Sequence, residues 1–199
     1  GYIKRTPLTQ YRAQRRGGKS MKGAGAGDGD FVDQLFVAST HAYILFFTTR
    51  GRGHWLMVHE LPLLGRVARG RALPNVLQLA ERERVRATLP VRSFEGGFVL
   101  LGTGRGVVKK TPLSAYSNPR RGGINSIHLG EDDELIAALL TNGSQQVLIA
   151  TKRGKAIRFP EGQVRPMGRT AAGVRGVSLR PEDEVVGMEI LSPGATILT

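Results

Sequence analysis

The sequence predicts an all-β, propeller-like fold of four-stranded blades, and three observations support this prediction. The apolar runs are short, rich in β-branched or aromatic residues and bounded by turn residues, a pattern typical of strands. The 27 glycines and 10 prolines are scattered along the whole chain. A pattern of roughly 50 residues repeats along the sequence, and this is about the length of one four-stranded propeller blade.

The clearest strand candidates are three runs that occur in equivalent parts of the repeat. They are Tyr43 to Phe47, Phe98 to Leu101 and Val147 to Ile149. The best helical candidate, residues 80 to 88, lacks a sustained apolar face and so does not predict a stable helix. We therefore expect a chain made of strands and turns.

An Arg-Gly turn marks each repeat. A strand followed by threonine, arginine and glycine occurs at residues 49–51, 103–106 and 151–154, and each glycine begins another strand-like run. With the first residue of the chain, these glycines lie at positions 1, 51, 106 and 154, separated by 50, 55 and 48 residues. We interpret residues 1–199 as a single domain with repeats starting near these positions. Residue 199 falls in the first half of another repeat, so we expect either further blades or a short variant.

Two further patterns repeat in step with the Arg-Gly turns. Acidic turns precede a strand at residues 131–134 and 182–184, with looser copies at 81–84 and 28–30. A glycine-rich run at 122–129 matches residues 172–179 and, more weakly, residues 69–77. Each unit thus reads as acidic turn, strand, loop, strand, Arg-Gly turn, strand, basic glycine-rich loop and strand. We expect one such unit to form one blade.

The charge distribution predicts a polyanionic partner. Lysine and arginine number 29 against 16 aspartates and glutamates, which gives a net charge of +13. The acids of each unit lie before its first strand, whereas the cations gather in the loop before its last strand. Because equivalent loops of repeating blades lie on equivalent edges, we expect a positive band suited to nucleic acid. The loop cations are Arg12, Arg15, Arg16, Lys19, Lys22, Arg66, Arg69, Arg71, Arg120, Arg121, Arg165, Arg169 and Arg175.

Several other kinds of protein are disfavoured. The chain has neither the amphipathic helix nor the long apolar run that would suit a membrane. It has no cysteine, which excludes disulfides and thiolate metal sites and is compatible with a reducing cytosol. The four histidines, at positions 41, 54, 59 and 128, are not spaced as metal ligands. Acid pairs such as Asp132 and Asp133 lie in repeated turns, so we do not expect acid–base catalysis.

The densest cluster of cations is the heptad Gln14-Arg15-Arg16-Gly17-Gly18-Lys19-Ser20. Its paired glycines allow backbone N–H groups to approach a ligand closely, and its arginines and lysine suit phosphate. The end of the heptad is similar to a nucleotide-binding phosphate loop, but that motif requires glycine at the position of Ala13. We interpret the heptad as a polyanion-binding loop, with a basic surface turn as the alternative.

These residues resemble the carboxy-terminal domain of the DNA gyrase A protein. The opening run Gly1-Tyr2-Ile3-Lys4-Arg5-Thr6-Pro7-Leu8, then Tyr11 and the heptad, is similar to the start of that domain and its gyrase A box. The likeness continues through residues 30–33, His41, residues 50–52 and the later repeats, so it covers the whole chain. One box position departs from the family pattern, because Ser20 stands where the family has glycine. The resemblance implies a β-pinwheel, with six blades in the family and DNA wrapped around a basic rim.

The function implied by the resemblance is binding and wrapping of duplex DNA, mainly through phosphates, so that gyrase introduces negative supercoils. The implied partners are double-stranded DNA, the remainder of the gyrase A protein and the gyrase B protein, in the bacterial cytoplasm at the nucleoid and without a membrane. No catalytic centre, metal or cofactor is expected in this segment, because ATP and Mg²⁺ are used by other parts of that topoisomerase. The box, Gln14 to Ser20, is the first predicted DNA site. The predicted rim residues are Lys4, Arg5, Arg12, Lys22, Arg66, Arg69, Arg71, Lys109, Lys110, Arg120, Arg121, Arg165, Arg169 and Arg175.

Two alternatives stay open at this stage. One is the counterpart domain of topoisomerase IV, which generally lacks an intact box, and the other is a propeller scaffold for acidic proteins. The basic loops carry few asparagines or glutamines suited to base edges, which favours phosphate contacts. We expect the four tyrosines, at positions 2, 11, 43 and 116, to be structural because the family's catalytic tyrosine lies in a different domain. We expect Trp55 to lie in the core.

Overall fold

The computed structural model describes residues 1–11, 31–192 and 194. Within these residues the regular structure consists of β-strands and short 3₁₀ helices, without an α-helix. The strands are β1 Tyr2–Ile3, β2 Tyr43–Thr48, β3 Arg52–Met57, β4 Arg71–Ala72, β5 Val85–Val91, β6 Phe98–Thr103, β7 Val107–Pro112, β8 Ile124–Asn125, β9 Leu135–Thr141, β10 Gln146–Thr151, β11 Ala156–Pro160, β12 Val174–Arg175 and β13 Val185–Leu191. The 3₁₀ helices are Leu8–Gln10, Val58–Glu60, Leu73–Asn75, Leu113–Tyr116 and Glu161–Gln163.

The strands form four antiparallel sheets in the described part of the chain. Blade 1 is the pair β1-β4, blade 2 has the order β5-β2-β3-β8, blade 3 the order β9-β6-β7-β12, and blade 4 the order β13-β10-β11. Blades 2 and 3 have four strands each, with the hairpins β2-β3 and β6-β7 at their centres. The prediction of an all-β, propeller-like protein with four-stranded blades is therefore confirmed.

One expectation is wrong, because a sequence unit does not coincide with a blade. The unit that begins at the acidic turn 131–134 contains β9, β10, β11 and β12. Its β9 and β12 lie in blade 3, whereas β10 and β11 lie in blade 4. Each short strand that follows a basic loop thus returns to the sheet before it, as β4 does to β1 and β8 to β3. Strand exchange of this kind links neighbouring blades through backbone hydrogen bonds.

The Arg-Gly turns receive these returning strands. Gly106 has φ +82 and its carbonyl accepts the N–H groups of Gly176 and Val177 at 2.8 and 3.3 Å. The carbonyl of Gly51, at φ +69, accepts those of Ser126 and Ile127 in the same way. Gly154, in the Arg-Gly turn of the next repeat, also has a positive φ, at +77. Only glycine adopts this conformation without strain, which explains its recurrence in the sequence.

Apolar side chains between neighbouring blades form the core. Phe47 of blade 2 is fully buried and meets the ring of Tyr116 edge-on, with 5.6 Å between ring centroids. A similar cluster of Leu100, Val147 and Ile149 joins blades 3 and 4. Trp55 packs against the first cluster and its indole N–H donates to the Tyr116 carbonyl at 2.8 Å. Trp55 is half-buried, so the expectation that it is a core residue holds only in that its ring packs against the core.

The acidic turns make hydrogen bonds to the Arg-Gly turns. The Asp133 carboxylate accepts the backbone N–H of Arg105 at 2.9 Å, and Asp183 accepts that of Arg153 at 3.0 Å. Burial alone would raise the pKa of Asp183, but hydrogen bonds from Arg153, Thr151 and Glu184 outweigh it and lower the pKa. These repeated acids each hold an Arg-Gly turn in place.

Candidate nucleic-acid interface

Three basic turns lie in corresponding loops of the described repeats, and the second of them is two residues nearer to the strand that follows. They span residues 65–68, 120–123 and 168–171, and each lies between a 3₁₀ helix and the short strand that returns to the preceding blade. A backbone hydrogen bond closes each turn, from residue 68 to 65 at 3.2 Å, from 123 to 120 at 2.9 Å and from 171 to 168 at 3.2 Å. The second residue of each turn is an arginine, namely Arg66, Arg121 and Arg169.

Most of the predicted rim arginines have side chains that reach the surface. Arg66 and Arg169 are half-buried. The exposed ones are Arg69, Arg71, Arg120, Arg121, Arg165 and Arg175. The guanidinium of Arg69 lies 4.0 Å from the ring centroid of Tyr2, which is itself 46% exposed. Such cation–π contacts orient an arginine while leaving its N–H donors available.

Acidic groups lie beside the Arg-Gly turns. Lys152 pairs with Glu184 at 2.9 Å and Arg153 pairs with Glu182 at 2.7 Å. These contacts join an acidic turn to an Arg-Gly turn of the same blade. Glu182 and Glu184 therefore have their partners in the Arg-Gly turn and not in a basic turn.

Lys4 and Arg5 hold the first basic turn from the preceding blade. The Lys4 ammonium donates to the carbonyls of Gly65, Arg66 and Ala68 at 3.0, 2.5 and 2.7 Å. Arg5 donates through Nε to the Leu61 carbonyl at 2.9 Å. Both side chains are half-buried. Their observed contacts are thus with the backbone around the turn, and a contact with DNA stays a prediction.

Lys109 and Lys110 are not on the exposed rim, and that expectation is wrong. Their side chains are 0% and 3% exposed, because β7 lies between β6 and β12 while the segment around residue 167 covers it further. The Lys109 ammonium donates to the carbonyls of Ser126, at 2.6 Å, and Arg169. The Lys110 ammonium donates to the Glu161 carbonyl at 2.9 Å. Neither ammonium can reach a phosphate from this position.

The environment of Lys109 opposes its charge. Burial, and secondarily the nearby Arg169 guanidinium, lowers the pKa of Lys109 to about 8. The sequence contains a signal for the buried, structural role of Lys109, although a count of charges does not reveal it. Residues 106–113 repeat the spacing of residues 1–8, with two adjacent cations that begin three residues after the glycine. Lys109 and Lys110 lie in β7 and Lys4 and Arg5 directly follow β1, so neither pair belongs to a basic turn.

Other predicted sites either have a structural role or lie beyond the described residues. The Tyr116 ring is fully buried, and burial raises the pKa of its phenol to about 12. No group of three or more histidines, acids or cysteines placed to bind a metal occurs in residues 1–11, 31–192 and 194. The same part of the chain contains no helix long and apolar enough to cross a membrane. The box, Gln14 to Ser20, and the cations Arg12 and Lys22 fall outside the described residues, so their role stays a prediction.

The sheets linked by exchanged strands and the repeated basic turns define a propeller-like domain. A family model described as "DNA gyrase C-terminal domain, beta-propeller" matches residues 1–39, 42–92, 97–142 and 145–192. The chain therefore belongs to the DNA gyrase C-terminal domain family.

Curated relatives and solved structures agree with this family. The DNA gyrase A protein of Salmonella typhimurium is 48% identical over 200 residues, which cover all of this chain and 23% of that protein. The DNA gyrase A protein of Staphylococcus aureus (strain MRSA252) is 44% identical over 191 residues, covering 95% of this chain and 22% of that protein. The chain thus spans less than a quarter of these relatives. The crystal structure of a C-terminal domain of DNA topoisomerase IV superposes with a TM-score of 0.84 at 30% identity, covering 96% of this chain and 58% of that one.

Proposed function

We propose that this chain binds duplex DNA along its basic turns and wraps it, so that DNA gyrase can introduce negative supercoils. The observation that carries the proposal is the recurrence, in three corresponding loops, of a closed turn whose second residue is an arginine, namely Arg66, Arg121 and Arg169. Repeated loops of one sign of charge suit the regular phosphates of a duplex. Membership of the gyrase C-terminal domain family supports the same function.

The contacts are mainly to phosphates and do not depend on base sequence. Arginine forks match phosphate geometry, and the three turns carry no asparagine or glutamine that would read base edges. Sequence preference then arises from the energy of bending, which costs about 1–6 kcal/mol for each 20–30 base pairs. The box, Gln14 to Ser20, provides a further anchor in this proposal.

The partners in this proposal are double-stranded DNA, the remainder of the gyrase A protein and the gyrase B protein, in the bacterial cytoplasm at the nucleoid. Strand passage, ATP hydrolysis and Mg²⁺ use belong to other parts of that enzyme. This segment sets the path of the DNA and supplies no catalytic centre or cofactor site. The structural likeness to a topoisomerase IV domain favours one alternative, membership of that enzyme. The box sequence at residues 14–20, which departs from the family pattern only at Ser20, argues for gyrase.

A topological assay tests the proposal. A nicked circle is ligated with the chain bound, the protein is removed, and the linking difference is read on a two-dimensional gel. Wrapping predicts a linking difference of constant sign that grows with protein concentration. A scaffold for acidic proteins would bind duplex weakly and leave the linking number unchanged.

A variant with alanine at Arg66, Arg121 and Arg169 should lose most of the trapped linking difference. Its matched control carries alanine at Arg92, Lys155 and Arg180, three exposed cations outside the basic turns, and removes the same charge. If about 6–10 phosphates are neutralised, affinity should also fall about 10³–10⁵-fold between about 50 and 200 mM salt. Equal topological effects of the two variants, or an affinity independent of salt, would contradict the proposal.

A further inference from the structure

Two lysines, Lys4 and Lys109, make the same contact in different repeats. The first lies three residues after Gly1 and the second three residues after Gly106. Each ammonium donates to the backbone carbonyl of the arginine in the basic turn whose following strand returns to its own blade, Lys4 to Arg66 at 2.5 Å and Lys109 to Arg169. The same contact thus occurs at two junctions, the places where one blade meets the segment of the next repeat. Its repetition indicates a shared role in placing that arginine.

The residue that follows in each junction also donates a hydrogen bond to the segment before the basic turn. Arg5 and Trp55 donate side-chain N–H groups to the carbonyls of Leu61 and Tyr116, both at a position four residues before the basic turn, at 2.9 and 2.8 Å. Lys110 donates to the Glu161 carbonyl at 2.9 Å, seven residues before its turn. Backbone hydrogen bonds add to this, since Met167 donates to the Lys110 carbonyl at 2.8 Å. The segment that carries each basic turn is therefore attached to the preceding blade.

Lys109 makes this contact from a fully buried position. Its ammonium bridges the Arg169 carbonyl to the Ser126 carbonyl, which belongs to a different unit of the chain. A buried ammonium is costly unless its donors are used, and two carbonyls use them here. Removing the ammonium would leave those two carbonyls without this donor and free the turn to move.

We propose that Lys109 is a positioning residue for DNA binding, which holds the turn 168–171 so that the Arg169 guanidinium meets a phosphate. Lys4 does the same for the turn 65–68 and Arg66. This inference rests on the proposed function, because it concerns how one of its DNA contacts is placed. Lys109 itself contacts no DNA. The prediction is therefore that a buried residue changes the number of phosphates the surface engages.

The experiment measures the affinity of the full chain for a labelled duplex across a salt series. Lys109→Met, which keeps the length of the side chain and removes the ammonium, should bind about 5- to 10-fold more weakly. Its log–log salt slope should fall by about 0.9, the equivalent of one phosphate, and match the slope of Arg169→Ala. The charge control Lys155→Met removes an exposed lysine and should keep the wild-type slope. Wild-type affinity and slope in Lys109→Met would overturn the inference.

A pH series on the wild-type chain tests the inference without any substitution at Lys109. Two groups with which Lys109 shares its surroundings are the Arg169 guanidinium, which stays charged, and the Tyr116 phenol, whose pKa is raised to about 12 and which stays neutral. Affinity should therefore weaken as Lys109 loses its proton near pH 8, and Arg169→Ala should abolish this step. A step that persists in Arg169→Ala overturns the inference. Failure of the wild-type chain to bind duplex at any pH would instead reject the proposed function.

Discussion

Two junctions between blades differ in how they hold the basic turn that follows. At the junction after blade 3, Lys109 donates to the carbonyl of the turn arginine. At the junction after blade 2, the equivalent residue is His54, which is 3% exposed and whose Nε2 has no hydrogen-bond partner among the described residues. Its imidazole packs against Gly123, where an added Cβ would lie 2.7 Å from Cε1. The Arg52 guanidinium donates to the Gly122 carbonyl instead.

The two junctions share one hydrogen bond to the segment before the turn but differ in the other contact. At the second position of the two junctions, Trp55 and Lys110 both donate to a carbonyl of the segment before the turn. At the first position, an ammonium that makes hydrogen bonds is replaced by a ring that makes van der Waals contacts. The junction after blade 2 therefore depends more on apolar packing, and that after blade 3 more on buried polar bonds.

The largest expected effect breaks the apolar junction. Trp55→Ala should lower the free energy of unfolding by about 3–5 kcal/mol, because it removes a large ring from the core between blades 2 and 3. Trp55→Phe keeps a ring but leaves the Tyr116 carbonyl without its donor, so about 1–3 kcal/mol is expected. Denaturant unfolding followed by far-UV circular dichroism gives both values. Equal losses in the two variants would mean that the hydrogen bond outweighs packing.

A smaller loss of stability is expected at the Arg-Gly turns, and it should differ between Gly106, whose turn receives a returning strand, and Gly154. Valine at Gly106 is opposed both by φ +82 and by Val177, whose Cγ1 would lie 2.8 Å from the new Cβ. Valine at Gly154 meets the same backbone strain, at φ +77, but no atom within 4 Å. We expect a loss of about 1–3 kcal/mol for Gly154→Val from strain alone and a larger loss for Gly106→Val. Thermal melts of both variants provide the measurement, and equal melting temperatures would show that the returning strand gives way without cost.

The last expected effect is a pH dependence of stability at each of the two junctions, in different pH ranges. Burial lowers the pKa of His54, an effect that Glu83 opposes and Arg52 reinforces. Since the unfolded chain then binds more protons, stability should fall as pH drops through about 6.5. Lys109 has a folded pKa of about 8 against an ordinary value of 10.5, so stability should rise as pH increases between them.

Variants at the two positions isolate these slopes. The difference in unfolding free energy between the wild type and His54→Gln should change only below about pH 6.5, and that between the wild type and Lys109→Met only above about pH 8. Urea unfolding at several pH values measures both differences. A slope for Lys109→Met in the acidic range, or none in the basic range, would mean that Lys109 is not the titrating group.

The sequence alone predicts much of the fold because its signals are local. Positive φ at Gly106 and Gly154 follows from turns between strands, and the core position of Trp55 follows from an apolar strand. The acidic turns are also recognisable as structural elements from their repetition. The rim is predicted less well, since a lysine in a strand and a lysine in a loop look alike in a count of charges. Lys109 and Lys110 illustrate this, as the burial of Lys109 depends on a residue 60 positions away.

The sequence by itself determined the all-β class, the repeat of about 50 residues, the Arg-Gly turns and the basic loops. Only the tertiary structure decided how the units are shared between blades, because a two-residue strand such as β12 carries no sequence signal for the sheet it joins. Its place is set by the carbonyl of Gly106, which accepts N–H groups from the next unit. The same exchange brings Arg169 over β7 and encloses Lys109. Lys109, which the charge pattern predicts to bind DNA, therefore donates hydrogen bonds to backbone carbonyls instead.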